Sequence, residues 1–590
     1  MNATTRTAAL LALLASAAAP AQAQTYPAAD RARDSAQALA AFRGNIEAIH
    51  RRDRASYLRN YLQSPRLART GPAGVQYGYQ GMAAGDPNSW PDTLVASHVE
   101  VVPVAPGVAY GVYRYRVAQG GTSARGVSER VLVRQADGSW KVAVSTAFGS
   151  PGDQPVPAFA FTGATVIDGM GGAPLRNATV VMRGGRIECV GACTPGADVE
   201  RIDARGRYII PGLIDAHVHY SQTGWADGRP DAQDVRDRFS YDSTVAQLEA
   251  HPERFYRSYL CAGVTGTFDV GGYPWTWGLR SRAEASTSAP HVAAAGPLLS
   301  TRDHWVNTPA ARQFVFTASD SATHAAARMI ALNRSDAMKV WYLVEGQNPD
   351  TVALKARIRA VAEEARRAGV PMIVHATGLW EAKDALRAGA KLLVHSVEDR
   401  PVDDEFLRLA REAGAIYVPT LTVVEGYRQL YQRRLDTTGV PMACVDPGTR
   451  ARAALTDSLP RLNLPAAFGE TLDRDRAMMF QNLRRVREAG IPIAMGTDAG
   501  NPLTLHGASV YREMDAMAEA GMTPMEVLVA STRTAARAMG RTDIGTLRPG
   551  MIADLVVLEA DPLANVANLR SVRLVVRSGE VWTRQELEYR

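Results

Sequence analysis

Between residues 208 and 540 one pattern recurs: a short apolar run, then an amphipathic stretch with helical spacing. The runs are IIPGLIDAHV, GVTGTFDV, HVAAAGP, AMKVWYLV, VPMIVHAT, AKLLVHSV, AIYVPTLTV and IPIAMGTD. Among the intervening segments, LKARIRAVAEEARRAG, EAKDALRAG and DDEFLRLAREAG each close on a glycine, the residue best suited to end a helix. Parallel strands need such crossovers, so eight strand–helix units predict a (β/α)8 barrel over residues 212–540.

The flanks break the pattern. FTGATVIDG, NATVVMRGGRIECVG and ADVERIDARGRYIIPG read as short strands punctuated by glycine. IGTLRPGMIADLVVLEADPL and VRLVVRSGEVWTR have the same texture beyond the barrel. One discontinuous β-sandwich built from residues 158–211 and 541–590 accounts for both. The Pro/Gly-rich GSPGDQPVPAFAF links this to an earlier block, residues 35–150. There, Ile46, Ile49, Tyr57, Leu58, Tyr61 and Leu62 have helical spacing. LVASHVEVVPV, VAYGVYRYRVA, ARGVSERVLVRQ and SWKVAVSTAF follow as strands, the last two joined by the turn ADGS. A helix followed by such a meander, with DGSWKV as its most specific piece, resembles the cone-shaped SnoaL-like or nuclear-transport-factor-2-like fold. The expected class is α/β: a barrel, a small β-sandwich and an N-terminal α+β cone.

Charge and termini exclude other classes. The 66 basic and 60 acidic residues are interleaved without a long basic run, which argues against nucleic acid as a partner. MNATTRTAALLALLASAAAPAQAQ has an arginine, then an apolar run too short to span a bilayer, then the small-x-small Ala21-Gln22-Ala23. A signal peptide over residues 1–23 and a periplasmic or secreted protein are predicted. No later segment offers 18 uninterrupted apolar residues, so no membrane span is expected. Cys189 and Cys193, separated by Val-Gly-Ala, are read as a disulfide or two free thiols rather than a zinc site.

Polar residues recur at the C-terminal ends of the barrel strands. The first strand carries His217-x-His219, and alternate residues of a strand point the same way. The fourth carries Lys339, the fifth His375, the sixth His395 and the eighth Asp498. In a barrel these ends share one face, the face where such folds hold active sites. Lys339 is one of five lysines in the chain, yet lies within the strand-like DAMKVWYLV. An ammonium buried there is costly, and burial lowers its pKa. Each residue alone has a structural reading: a core histidine, a helix-capping aspartate, a lysine reaching the rim beside Glu345 or Asp336. The complete set on one face does not.

PGLIDAHVH, DAMKVW, MIVHATG, LLVHSVED, GTDAG and GTLRPGMIADLVVL resemble the amidohydrolase superfamily, over about residues 160 to 582. The branch that looks most similar holds Xaa-Pro dipeptidases and imidazolonepropionases. The resemblance implies an exported metal-dependent hydrolase of amide C–N bonds, acting on small molecules such as dipeptides or N-acyl amino acids. It implies two divalent ions, Zn2+ foremost, bridged by N6-carboxylated Lys339. His217, His219 and Asp498 would bind one ion, His375 and His395 the other. A water shared by the ions would attack the carbonyl, and Asp498 would pass its proton to the leaving amine. Tyr220 is a candidate oxyanion donor. In STRDHW, Arg302 is a candidate for a substrate carboxylate and His304 for catalysis or substrate binding, although related enzymes often have a Gly-rich stretch there. His506 is a candidate for positioning a closing loop.

Two other readings stand beside this one. A hydrolase of cyclic amides or imidazolone rings shares most of the motifs, but mononuclear members of the superfamily usually lack the strand-four lysine. The N-terminal block, which shows no catalytic constellation, has an alternative reading as a ligand-binding or dimerisation module beside an inactive barrel, against which the complete metal set of the barrel argues. The expected partners are a small-molecule substrate and further copies of the chain in a homo-oligomer.

Overall fold

The computed structural model describes residues 26–71, 74–85, 90, 93–119, 122–149, 158–303, 313–344, 349–462 and 468–589. The expected signal peptide lies outside them. The chain forms two compact units, Met1–Gln154 and Pro155–Arg590. No described helix is long and apolar enough to cross a membrane.

In the first unit a long helix, α1 (Ala28–His50), turns Ala38, Phe42, Asn45 and Ile46 to the interior. The spacing from Ile46 to Leu62 predicts one continuous helix, and the structure corrects this. The helix stops at His50, Arg52 takes a φ of 54°, and α2 (Arg54–Arg59) restarts with Asp53 as its N-cap, accepting from the Ser56 amide. The strands are β1 (Ala68–Gly71), β2 (Gly74–Tyr77), β3 (Thr93–Ala105), β4 (Val108–Gln119), β5 (Thr122–Arg134) and β6 (Trp140–Gly149). They form one sheet in the order β2-β1-β6-β5-β4-β3. The meander β3 to β6 is antiparallel, whereas β1 joins β6 in parallel.

The second unit begins with β7 (Phe159–Val166), β8 (Leu175–Arg183), β9 (Arg186–Gly191), β10 (Glu200–Asp203) and β11 (Tyr208–Pro211). Three strands from the far end of the chain complete the same eight-stranded sheet, because β11 pairs antiparallel with residues 555–558. The run IIPGLIDAHV is therefore two strands. Its first half belongs to this sheet, and after Gly212 its second half, β12 (Leu213–Val218), starts the barrel. A β-carbon at Gly212 would lie 2.0 Å from Thr265 Oγ1, so only glycine lets the chain change sheets there.

Next around the barrel come β13 (Val264–Asp269) and β14 (His291–Ala294), both parallel to β12. Beyond Gly296-Pro297 the third strand resumes as β15 (Leu298–Ser300), flanked by β16 (Phe314–Phe316) and β17 (Met338–Trp341). Then follow β18 (Met372–His375), β19 (Leu392–Val394) and β20 (Ile416–Val418), all parallel. The eighth run, IPIAMGTD, is too irregular to form a ladder. It closes the ring through single bridges, Tyr417 to Ile493 and Val218 to Ala499, and through amide bonds from Ala494 to Tyr417 O and from Ala216 to Met495 O.

After the barrel the chain returns to the sheet as β21 (Leu555–Leu558), β22 (Val572–Arg577) and β23 (Glu580–Thr583). His291, buried at the start of β14, lies 2.7 Å from Glu284 and 2.9 Å from Asp554, and so ties the third barrel strand to the returning segment. Two disulfides are present: Cys189–Cys193, and Cys261–Cys444, a pairing across 183 residues that the sequence did not suggest.

Candidate active site

His217 lies within β12 and His219 just past it, Lys339 within β17, His375 at the end of β18 and His395 just past β19. Asp498 follows the closing segment, whose Asp498 amide donates to His217 O at 2.7 Å. Two of the six adopt a left-handed backbone: His395 with φ 74° and Asp498 with φ 63°. Residues with a β-carbon avoid this region, and such strain collects at functional sites. Gly500, with φ 111°, lets the chain pass where a β-carbon would stand 2.6 Å from His219 O.

The side chains meet as lone pairs. His219 Nδ1–H donates to Gly271 O at 2.6 Å, which leaves Nε2 as a bare acceptor. That Nε2 lies 3.0 Å from Asp498 Oδ1 and 3.3 Å from His217 Nε2, and His217 Nε2 lies 3.3 Å from Asp498 Oδ1. Asp498 Oδ1 and His217 Nδ1 are buried without any hydrogen-bond partner. Ligands about 2.0 to 2.1 Å from one ion stand about 2.9 to 3.4 Å apart, so the triangle has the dimensions of a coordination face. The residues present therefore fit a divalent cation. His395 belongs to the same cluster: His217, His395 and Asp498 offer donor atoms within 4.8 Å of one another. The rings of His375 and His395 are 4.4 Å apart, and His395 Nδ1 lies 2.8 Å from Thr420 Oγ1. The expected division into a His217–His219–Asp498 group and a His375–His395 group is thus not drawn by the geometry.

Lys339 is 1% exposed and faces the same cavity. The alternative of a side chain reaching the rim fails. Asp336 is engaged by the Ala294 amide and by Arg280, and Glu345 lies outside the described residues. Burial draws the Lys339 ammonium down to about 7, opposed by Asp498 and Asp269. Burial, with the Lys339 charge, also holds His217 and His375 far below the ordinary histidine range. Burial, His375 and Lys339 do the same for His395. Neutral imidazoles keep their lone pairs for a metal.

The cavity holds about 230 Å³ and is lined by His219, Lys339, His375, His395 and Asp498. Its wall also carries Gln222, Arg229, Gln313, Trp341, Glu398, Tyr427 and Asn501. Tyr220 is not among the lining residues. It is fully buried, its hydroxyl 3.1 Å from Thr267 Oγ1, its ring packed with Tyr256, Tyr259 and His506. Arg302 lines a different cavity, with Asp350 and Arg357. His304 lies outside the described residues. His506 is a packing residue, bonded to the Tyr259 hydroxyl and Gln222 O and stacked 3.8 Å from Phe255.

The cationic side chain that does line the histidine cavity beside Lys339 is Arg229. It is paired with Asp231 at 2.8 Å and donates to Asn501 Oδ1, which also accepts from the Tyr427 hydroxyl. Glu398 is the second carboxylate of the wall. Burial, with Asp475 nearby, pushes it up to about 7. Behind the histidines, Asp215 accepts from the His217 amide and from the amide and hydroxyl of Thr497, pinning the first strand to the eighth.

The family model described as "Amidohydrolase family" matches residues 208–582. The imidazolonepropionase of Streptomyces coelicolor is 26% identical over 426 residues, 70% of this chain and 92% of its own length. That of Chloroflexus aggregans is 27% identical over 428 residues, 66% and 86%. Among solved structures, a Xaa-Pro dipeptidase with bound methionine in the active site superposes with a TM-score of 0.56 at 23% identity, over 72% of this chain and all of that one. A molinate hydrolase gives 0.56 at 22%, over 73% and 95%. At these identities the structural matches speak for the fold.

Proposed function

The chain belongs to the amidohydrolase family and is a hydrolase; we propose that it is a metal-dependent enzyme that cleaves amide C–N bonds of small substrates, dipeptides or N-acyl amino acids. The observation that carries this reading is a lysine buried in one cavity with three histidines and an aspartate, with a fourth histidine, His217, 3.3 Å from that aspartate. His217, His219, His375, His395 and Asp498 would hold two divalent ions, most suitably Zn2+, with Lys339 carboxylated on Nζ between them. When bound, such ions polarise a carbonyl and acidify water.

The chain's own groups supply the rest. The buried Lys339 amine is neutral above about pH 7, the form that captures CO2. Asp498 Oδ1, without a hydrogen-bond donor of its own, takes a proton and delivers it to the leaving nitrogen. Arg229, steadied by Asp231 and Asn501, orients a substrate carboxylate from beyond the first strand. Glu398, beyond the sixth strand, faces the same space and suits a substrate ammonium. That pair favours dipeptides over N-acyl amino acids. Export belongs to this proposal too, and the two disulfides support it.

Metal content is the first test. Protein prepared with zinc and bicarbonate should hold close to two ions per chain, and Lys339→Ala should lose metal and release no amino acid from a dipeptide panel. One ion in both proteins would make Lys339 structural. The 26% likeness to imidazolonepropionases favours a second reading, hydrolysis of a cyclic amide such as an imidazolone ring. Turnover of that ring without dipeptide cleavage would select it.

A further inference from the structure

The interior of the N-terminal unit carries charge where a core should be apolar. On β5, Ser128, Arg130 and Leu132 point inward, 1%, 6% and 0% exposed, while Val131 and Val133 on the other face stay half-exposed. Strand pairing sets Arg69 of β1 opposite Ser145 of β6, and Ser145 opposite Arg130 of β5. Residues directly opposite share a face, so two guanidiniums flank one serine on the inner side of the sheet. The hydroxyls of Tyr57 and Tyr61, 3.0 Å apart, complete the group beside Arg130.

No acid answers this charge among the described residues. The Arg130 contacts are neutral: Ser128 Oγ, Glu129 O, Thr146 O and the ring of Tyr113, 5.6 Å from its guanidinium, and its Nε–H has no acceptor. The Glu129 carboxylate serves the outer face, held by Tyr110 and Thr146. Asn45, on the inward face of α1 and fully buried, has both amide atoms unbonded. Burial raises Tyr61, yet Arg130 beside it, with Tyr57 and Arg69, brings the hydroxyl below its ordinary pKa, as a positive field requires. A buried guanidinium without a counter-charge and a buried amide without a partner are each costly, unless something binds there.

We propose that this interior is a binding site for a small organic carboxylate, held by Arg130 and Arg69 with the hydroxyls of Tyr57, Tyr61 and Ser145. A guanidinium fork matches a carboxylate in geometry as well as charge. The rings of Tyr57, Tyr61 and Trp90, in contact at 5.0 and 5.5 Å, offer an aromatic body a surface.

Isothermal titration of the full chain with benzoate tests this, with benzylamine and inorganic phosphate in parallel. The work is done in Arg229→Gln protein, so that the barrel cavity does not supply a guanidinium. A single benzoate site is expected, weakened about tenfold or more by adding Arg130→Gln or, separately, Arg69→Gln. Arg69 is half-buried, so its variant keeps the readout if Arg130→Gln does not fold. Absence of benzoate binding, binding that Arg69→Gln leaves unchanged, or equal binding of phosphate or benzylamine would each overturn the proposal.

Discussion

Replacing Lys339 with methionine removes a charge at nearly constant length, and its effect on stability follows from burial. In metal-free protein the Lys339 pKa falls from 10.5 to about 7, while the unfolded chain keeps an ordinary lysine. Between about pH 7 and about pH 10.5 the unfolded state binds more protons, so stability rises with pH across that window. Below it both states are protonated and the full penalty applies; above it neither is, and the penalty vanishes. A shift of about 3.5 units corresponds to about 5 kcal/mol. Stripped of metal and bicarbonate, Lys339→Met should therefore be more stable than the parent by about 5 kcal/mol near pH 6, and by about 3 kcal/mol near pH 8.5. Urea unfolding followed by tryptophan fluorescence reads this, since seven of the nine tryptophans fall in Pro155–Arg590. Near pH 8.5, zinc and bicarbonate should invert the order. The parent then gains about 4 kcal/mol at a thousandfold excess over its dissociation constant, and the variant has no amine to carboxylate. A parent at least as stable as the variant near pH 6 in metal-free buffer, or a difference that ignores pH, would refute the reasoning.

Asp498→Asn should lower kcat by roughly 10²- to 10⁴-fold, the range of a lost general acid–base group, and weaken metal retention; full activity in a well-folded variant would remove its proton-shuttle role. Glu398→Gln should raise KM for dipeptides with a free amino group roughly tenfold or more and spare their N-acetylated counterparts, because only the former lose a charge-assisted contact. Equal effects on both would leave Glu398 without a part in selectivity. Cys261→Ser opens a loop closed across 183 residues and should cost about 2 to 5 kcal/mol in denaturant unfolding, against about 2 kcal/mol or less for Cys189→Ser across 4. Similar losses would mean that chain entropy does not govern the two links.

The barrel was readable because its signals are periodic. Strand and helix alternate, and a histidine pair two residues apart needs only strand geometry to face one point. The same geometry argues against Tyr220. A residue one step past His219 points the other way, and its ring lies in the aromatic cluster while its amide donates to Asp269. Arg229 carried no signal, since the segment after His219 is irregular and its partners Asp231 and Asn501 are brought together only by the fold. Cys261 and Cys444 escaped notice for the same reason. The helix break at Asp53 was legible in principle, as Asp53 and Ser56 have the spacing of an N-cap and its N3 amide, but the apolar periodicity continues across it. In β5 the pattern misleads outright. Val131 and Val133 invite the core, yet Arg130 and Ser128 occupy it, because register in a sheet is settled by neighbouring strands and not by one strand's own pattern. Where a strand turns its polar face inward against its own hydrophobic alternation, the local rule has yielded to something else, and function is the first place to look for it.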